Sequence, residues 1–167
     1  MEIQNKYNLF FLCFLILFFL AYNYLFYFNI NCWFDEWATL LVTDPSIDMK
    51  EFFSRLNGNE NNNYIPENVP FIYNLSLKYF FFIFGYTIIN GKIFSILFFL
   101  GSLLILYRIL LFISDKKFSS LIIILITLNP YLIYLANEIR VGTFLLFFFI
   151  LNIYFFFLNL NSNSKYY

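Results

Sequence analysis

Residues 7–34 read YNLFFLCFLILFFLAYNYLFYFNINCWF, with no charge between Lys6 and Asp35. A helix needs roughly 20 apolar residues to cross a bilayer core of about 30 Å. This run is long enough. Two further uncharged runs, 118–137 and 141–164, are long enough as well. With 62% hydrophobic and 12% charged residues, the chain has too little polar surface for one small soluble domain. Helices satisfy their backbone groups internally, so an all-α, polytopic membrane protein is expected. The 167 residues are read as a single membrane domain.

Lys6 is the only positive flank of the first run, the apolar stretch is longer than a signal core, and no small-residue cleavage site follows. Residues 8–30 are therefore read as a retained first span, with Tyr22, Tyr24 and Tyr27 suited to the interface. Residues 31–69 form a polar loop. It carries seven acids (Asp35, Glu36, Asp44, Asp48, Glu51, Glu60, Glu67) against two bases, Lys50 and Arg55. Within it, residues 48–56 suit a short helix. Asp48 is the N-cap and Glu51 its capping-box partner, with Met49, Phe52, Phe53 and Leu56 on one side. Residues 57–63, NGNENNN, read as a loop tip.

Residues 70–84 run from a proline to the residue before Gly85, which marks one helix of about 22 Å. Crossing the bilayer would place Lys78 near mid-membrane, at about 2.5–3.5 kcal/mol on insertion scales. It would also put Arg108, Lys116 and Lys117, at the end of the segment 91–113, on the outer side, against the positive-inside rule. An interfacial or re-entrant helix avoids both conflicts. The next span is expected at 118–134, kinked or ended by Pro130, and the last at 141–160, followed by Lys165. About four spans result, with both termini cytoplasmic and the acidic loop outside.

Histidine is absent, which removes His-dependent triads and His-rich metal sites. No basic tract points to nucleic acid. Cys13 and Cys32 would lie roughly 28 Å apart along a helix, too far to bridge. Asn74-Leu75-Ser76 matches a glycosylation sequon, but on an apolar helix it reads as chance.

Two groups of residues carry possible chemistry. Asp35-Glu36 stands between Trp33 and Trp37 at the end of the first span. Two readings stand: acids and interface anchors at an ordinary span end, or a partly desolvated carboxylate suited to act as a general base or metal ligand. Glu138 and Arg140, two apart on a helix, would point in nearly opposite directions and each need its own partner. Again two readings stand: both snorkel into water, or Arg140 grips an anion with its planar fork.

The order of features resembles the N-terminal part of the C-type glycosyltransferase superfamily. In particular it resembles the group containing protein O-mannosyltransferases and aminoarabinose transferases. The likeness rests on Phe34-Asp35-Glu36-Trp37 after the first span and on the proline-started Val69-Pro70-Phe71-Ile72-Tyr73. It rests also on a span ending in Asn129-Pro130-Tyr131, followed by Glu138-Ile139-Arg140. Gly142 stands where many relatives have tyrosine, and Val69 where they often have a first proline. The resemblance covers nearly the whole chain, but corresponds only to the front of such an enzyme.

The resemblance implies transfer of a sugar from a polyprenyl-phosphate donor to a lipid, glycan or protein acceptor outside the membrane, with inversion, as part of cell-envelope glycosylation. Asp35 would take the acceptor proton and Arg140 would bind the donor phosphate. Glu36 or Glu138 would orient the base, bind the acceptor or hold a divalent ion, and Glu138 and Tyr73 would position donor or acceptor. The bacterial inner membrane is the implied location. Against this enzyme stands a non-catalytic membrane scaffold, assembly subunit or inactive gene fragment. A transporter fits less well, because the ionisable residues gather at one surface rather than at mid-membrane.

The topology has a direct check in thiol labelling of intact cells. Cys32 is expected to react with an impermeant reagent from outside, with a Cys13→Ser chain as control. Labelling of Cys32 from the cytoplasmic side alone would overturn the arrangement.

Overall fold

The computed structural model describes Leu17, Phe19, residues 32–58 and residues 69–163, with side chains through residue 160. Seven helices lie in the continuous parts. They are α1 (Phe34–Val42), α2 (Met49–Leu56), α3 (Phe71–Phe84), α4 (Ile88–Ile113), α5 (Lys116–Thr127), α6 (Pro130–Asn137) and α7 (Gly142–Asn163). No strand occurs among the described residues. Most of the expected first span and most of the tip at 57–63 lie outside them, as do Glu60 and Glu67.

Among the described residues, two helices are long and apolar enough to cross a membrane, α4 and the Gly142–Leu160 part of α7. A third span exists if α5 and α6 count as one, but they are bent by 63°. The span expected at 118–134, kinked or ended by Pro130, is indeed broken, at Leu128–Asn129. The cause is local. Proline cannot continue the backbone ladder, and the Asn129 carbonyl oxygen of the side chain accepts from the Tyr131 and Leu132 amides, starting a new helix.

Aromatic contacts fix the helix directions. Phe94 meets Phe144, Phe98 meets Phe147 and Phe148, and Phe112 meets Tyr154 and Phe157. The numbers rise together, so α4 and α7 run parallel. Gly101 lets them approach closely: a Cβ there would come within 2.8 Å of the Phe147 ring. The α5–α6 pair runs the other way, with Ile123 against Tyr107 and Ile133 and Ala136 against Ile96, Phe99 and Leu103. Phe19 is helical and fully buried in the same cluster, its ring 5.2 Å from that of Phe99.

The loop helices gather at one end of this bundle. Leu40 of α1 packs with Tyr73, Leu77 and Phe81 of α3, Phe94 of α4, Ile139, and Phe144 of α7. The Lys116–Lys117 turn follows the far end of α4, so basic turn and acidic loop stand at opposite ends.

Local signals explain the short helices. Asp48 caps α2 by accepting from the Glu51 amide. The reciprocal half of the expected capping box does not form, because the Glu51 carboxylate pairs with Arg55 at 2.9 Å. Of the four apolar residues expected on one side of α2, Phe52 and Leu56 are buried, whereas Met49 and Phe53 stay largely exposed. Pro70 is the N-cap of α3 rather than its first residue. Gly85 ends α3 at φ 98°, a left-handed conformation that a side chain would strain.

At 14 residues, α3 is about 21 Å long, short of the bilayer core. Its lysine is not left in an apolar medium. Lys78 Nζ donates to the carbonyls of Asp44 (2.5 Å) and Ile47 (2.8 Å) and so pins the turn between α1 and α2. Asn74, the sequon asparagine, is fully buried.

Lys78→Met keeps the stem and removes the donor, leaving two carbonyls short of a partner. The expected cost is about 1–3 kcal/mol, read as a lower melting temperature in detergent. An unchanged midpoint would show that the turn does not depend on this lysine.

Candidate functional site

Asp35 and Glu36 occupy the first turn of α1, where carboxylates complement the positive helix end. Consecutive helical residues diverge by about 100°, and here the divergence separates two environments. Glu36 is 3% exposed and Asp35 lies on the surface.

The two oxygens of Glu36 have different tasks. Oε2 accepts from the Trp33 amide at 2.8 Å, closing the start of its own helix. Oε1 accepts from the Ile139 amide at 2.7 Å, across 103 residues. Each is a charge-assisted bond of about 1.5–3 kcal/mol. Asp35 Oδ2 pairs with Arg140 Nη2 at 3.0 Å, with the side chains 61% and 49% exposed. An ion pair that open to water contributes about 0–1 kcal/mol. The adjacent acids are therefore unequal: Glu36 holds the corner together, and Asp35 makes an exchangeable contact on its rim.

The corner at 138–141 is not helical. The sequence reading placed Glu138 and Arg140 on one helix, but α6 ends at Asn137 and Glu138 is extended at φ −78°, ψ 135°. That break frees the Ile139 amide for Glu36. It also lets Arg140 reach Asp35, while the Glu138 carboxylate lies beside the Tyr134 phenol. The Glu138 carbonyl accepts from Ser95 Oγ at 2.6 Å, tying the corner to α4. Next along α4, Gly91 leaves room for Ile139: a Cβ there would sit 2.8 Å from Ile139 Cδ1.

Of the five residues singled out from the sequence, Asp35, Glu36, Glu138 and Arg140 share this corner. Tyr73 does not reach its surface. It is fully buried, edge-on to Phe94 and Phe144, in the apolar cluster beneath Leu40 and Ile139. Among the described residues, no group of three His, Cys, Asp or Glu side chains is placed to hold a metal ion. Both Glu36 oxygens are engaged by backbone amides.

One charged residue was passed over. Lys92 lies in the first turns of α4, 3% exposed, close enough to Cys32 to act on its thiol. Its signal was available: a lone lysine inside an apolar span is a functional candidate by default. Burial pushes the Cys32 thiol above its ordinary value of 9.0, the Glu36 charge adds to that rise, and Lys92 opposes it.

No protein-family model matches the chain, and no curated protein or solved structure matches it.

Cys32 therefore reports on the charges of the corner. Its alkylation is expected to be slow at neutral pH and to accelerate as pH rises through the elevated thiol pKa. Lys92→Met should slow it further and Glu36→Gln should speed it. Because unfolding would speed both, slower alkylation in Lys92→Met is the diagnostic result, and faster alkylation there would refute the placement of Lys92.

Proposed function

We propose that this chain carries part of a membrane glycosyltransferase that moves a sugar from a polyprenyl-phosphate donor to an acceptor hydroxyl outside the membrane, with inversion. The observation that carries the reading is the exposed Asp35–Arg140 pair at 3.0 Å, set on a corner fixed by buried Glu36. A lipid-borne donor comes from the bilayer and a polar acceptor from water, so their reacting atoms meet at the boundary. The pairing of a base with an anion grip there matches both halves of the reaction.

In the resting protein the two groups neutralise each other. A phosphate offers the guanidinium fork more acceptor oxygens than a single carboxylate oxygen does. Donor phosphate displaces Asp35 from Arg140, at little cost because the exposed pair is weak. Asp35, released within a few ångströms of the phosphate, then takes the proton of the acceptor hydroxyl. The acceptor oxygen forms its bond to the anomeric carbon as the bond from that carbon to phosphate oxygen breaks. The electron pair of the broken bond leaves on the polyprenyl phosphate, whose charge Arg140 stabilises. Glu36 serves as a positioning residue, and Glu138 with Tyr134 borders the place where the acceptor would sit. Tyr73 acts from below, through the apolar cluster that carries the corner.

The opposite placement of acidic corner and basic turn fits an outward-facing site in a bacterial cell membrane, with Lys116 and Lys117 in the cytoplasm.

The test is transfer of labelled sugar from a panel of polyprenyl-phosphate donors, in membranes holding the chain within its full natural reading frame. Asp35→Asn is expected to lower turnover about 10²–10⁴-fold with little change in donor KM, and Arg140→Gln about 10²–10³-fold. Wild-type transfer by Asp35→Asn would remove the base. No turnover with any donor would favour a non-catalytic scaffold.

A further inference from the structure

Helix α1 is built inside out. Glu36, Thr39, Leu40 and Thr43 face the protein, and all four are buried. The inward polar groups are satisfied: Glu36 by two amides, Thr39 Oγ1 by the Asp35 carbonyl and Thr43 Oγ1 by the Thr39 carbonyl. The opposite stripe, running from the N-cap, is Trp33, Phe34, Trp37 and Leu41, which are 60%, 71%, 50% and 46% exposed. A soluble surface helix shows the reverse arrangement. Apart from Asp35, already paired with Arg140, no charged residue of α1 is exposed.

We infer that α1 lies in the plane of the outer membrane boundary, its Trp33–Phe34–Trp37–Leu41 stripe seated in lipid, so that the membrane itself is the partner of this face. Three observations favour lipid over a protein partner. The helix begins at Phe34, four positions after the segment 8–30 that the sequence reads as a membrane span, so little chain separates the two. Its outward stripe is aromatic and tryptophan-rich, the composition that settles at head-group level. The apolar outer surface also continues on the neighbouring α3 through Phe71, Ile72, Tyr79, Phe82 and Ile83, a helix too short to span. At nine residues, α1 is about 14 Å long, and Asp35 in its first turn, 3.0 Å from Arg140, shares a depth with that arginine. That depth is where the phosphate of a lipid would stand. The placement goes beyond the proposed transfer reaction and does not depend on it.

The chain provides its own probe, because its only two tryptophans are Trp33 and Trp37. The full chain is reconstituted into phosphatidylcholine vesicles whose lipids carry bromine high, midway or low on the acyl chains. Trp33→Phe and Trp37→Phe chains then report one tryptophan each. The expected result is loss of emission from both tryptophans, greatest with bromine nearest the head-groups, and little loss on adding aqueous iodide. Strong quenching by iodide without quenching by brominated lipid would place the stripe in water and overturn the inference. Greatest quenching by the deepest bromine would make α1 part of a span and overturn it too. Resistance to both quenchers would mean that protein, such as a second copy of the chain, covers the face. Because no sugar transfer is measured, an inactive protein with shallow tryptophans would reject the enzyme and keep this placement.

Discussion

The bond from the Ile139 amide to Glu36 Oε1 is the constraint on which the rest of the corner depends. A buried carboxylate is tolerated only where its charge is met by hydrogen bonds. Glu36 meets its charge with one amide of its own helix and one from a corner 103 residues away. The second bond requires Ile139 to lie outside a helix, since an interior helical amide would be committed to its own ladder. The chain satisfies that demand by ending α6 at Asn137 and restarting as α7 at Gly142. The meeting of Asp35 and Arg140 follows from this arrangement. Each is the neighbour in sequence of a residue in the buried bond, so fixing Glu36 on Ile139 carries the exposed pair to within reach.

What the sequence made legible was whatever depends on near neighbours. Pro70 and Gly85 bracket α3, Asp48 starts α2, and the apolar runs become α4 and α7, because helix stops, caps and hydrophobic length are local properties. The break before Pro130 was half legible. Proline announced a kink and the Asn129 cap is equally local, but the 63° size of the bend goes with the packing of Ile133 and Ala136 against α4. Lys78 was misleading when read alone. Its cost at mid-membrane assumed a helix surrounded by lipid, whereas the carbonyls of Asp44 and Ile47 meet it across more than thirty residues of chain.

The division between Asp35 and Glu36 lay beyond any sequence argument. Their side chains differ by one methylene and their neighbours are alike. Which one is buried depends on the rotation of α1 about its axis, and that is fixed by Leu40 entering the cluster of Tyr73, Phe94 and Phe144. The same rotation turns Trp33 and Trp37 outward. Tyr73 illustrates the converse: a residue matching a family motif can owe its place to packing, since a fully buried ring between Phe94 and Phe144 already explains a large aromatic side chain there.

The unequal strengths of the two contacts suit the proposed transfer site, which would have to both persist and open. Were Asp35–Arg140 the buried pair, exchanging it for an incoming phosphate would strand a charge in a low-dielectric interior, a penalty of several kcal/mol. Were Glu36 exposed, nothing but a weak surface contact would hold α1 to the corner, and the geometry would be lost whenever that contact opened. Burying the carboxylate that bonds to backbone, and exposing the one that bonds to a side chain, separates the two demands. Arg140 can leave Asp35 without moving Ile139, because a side chain rotates independently of its neighbour's peptide group, whereas parting Glu36 from the Ile139 amide leaves a buried carboxylate oxygen without its donor. This fixes which of the two acids can change partners while the fold stays intact, and it is the one beside the exposed Trp33 and Trp37.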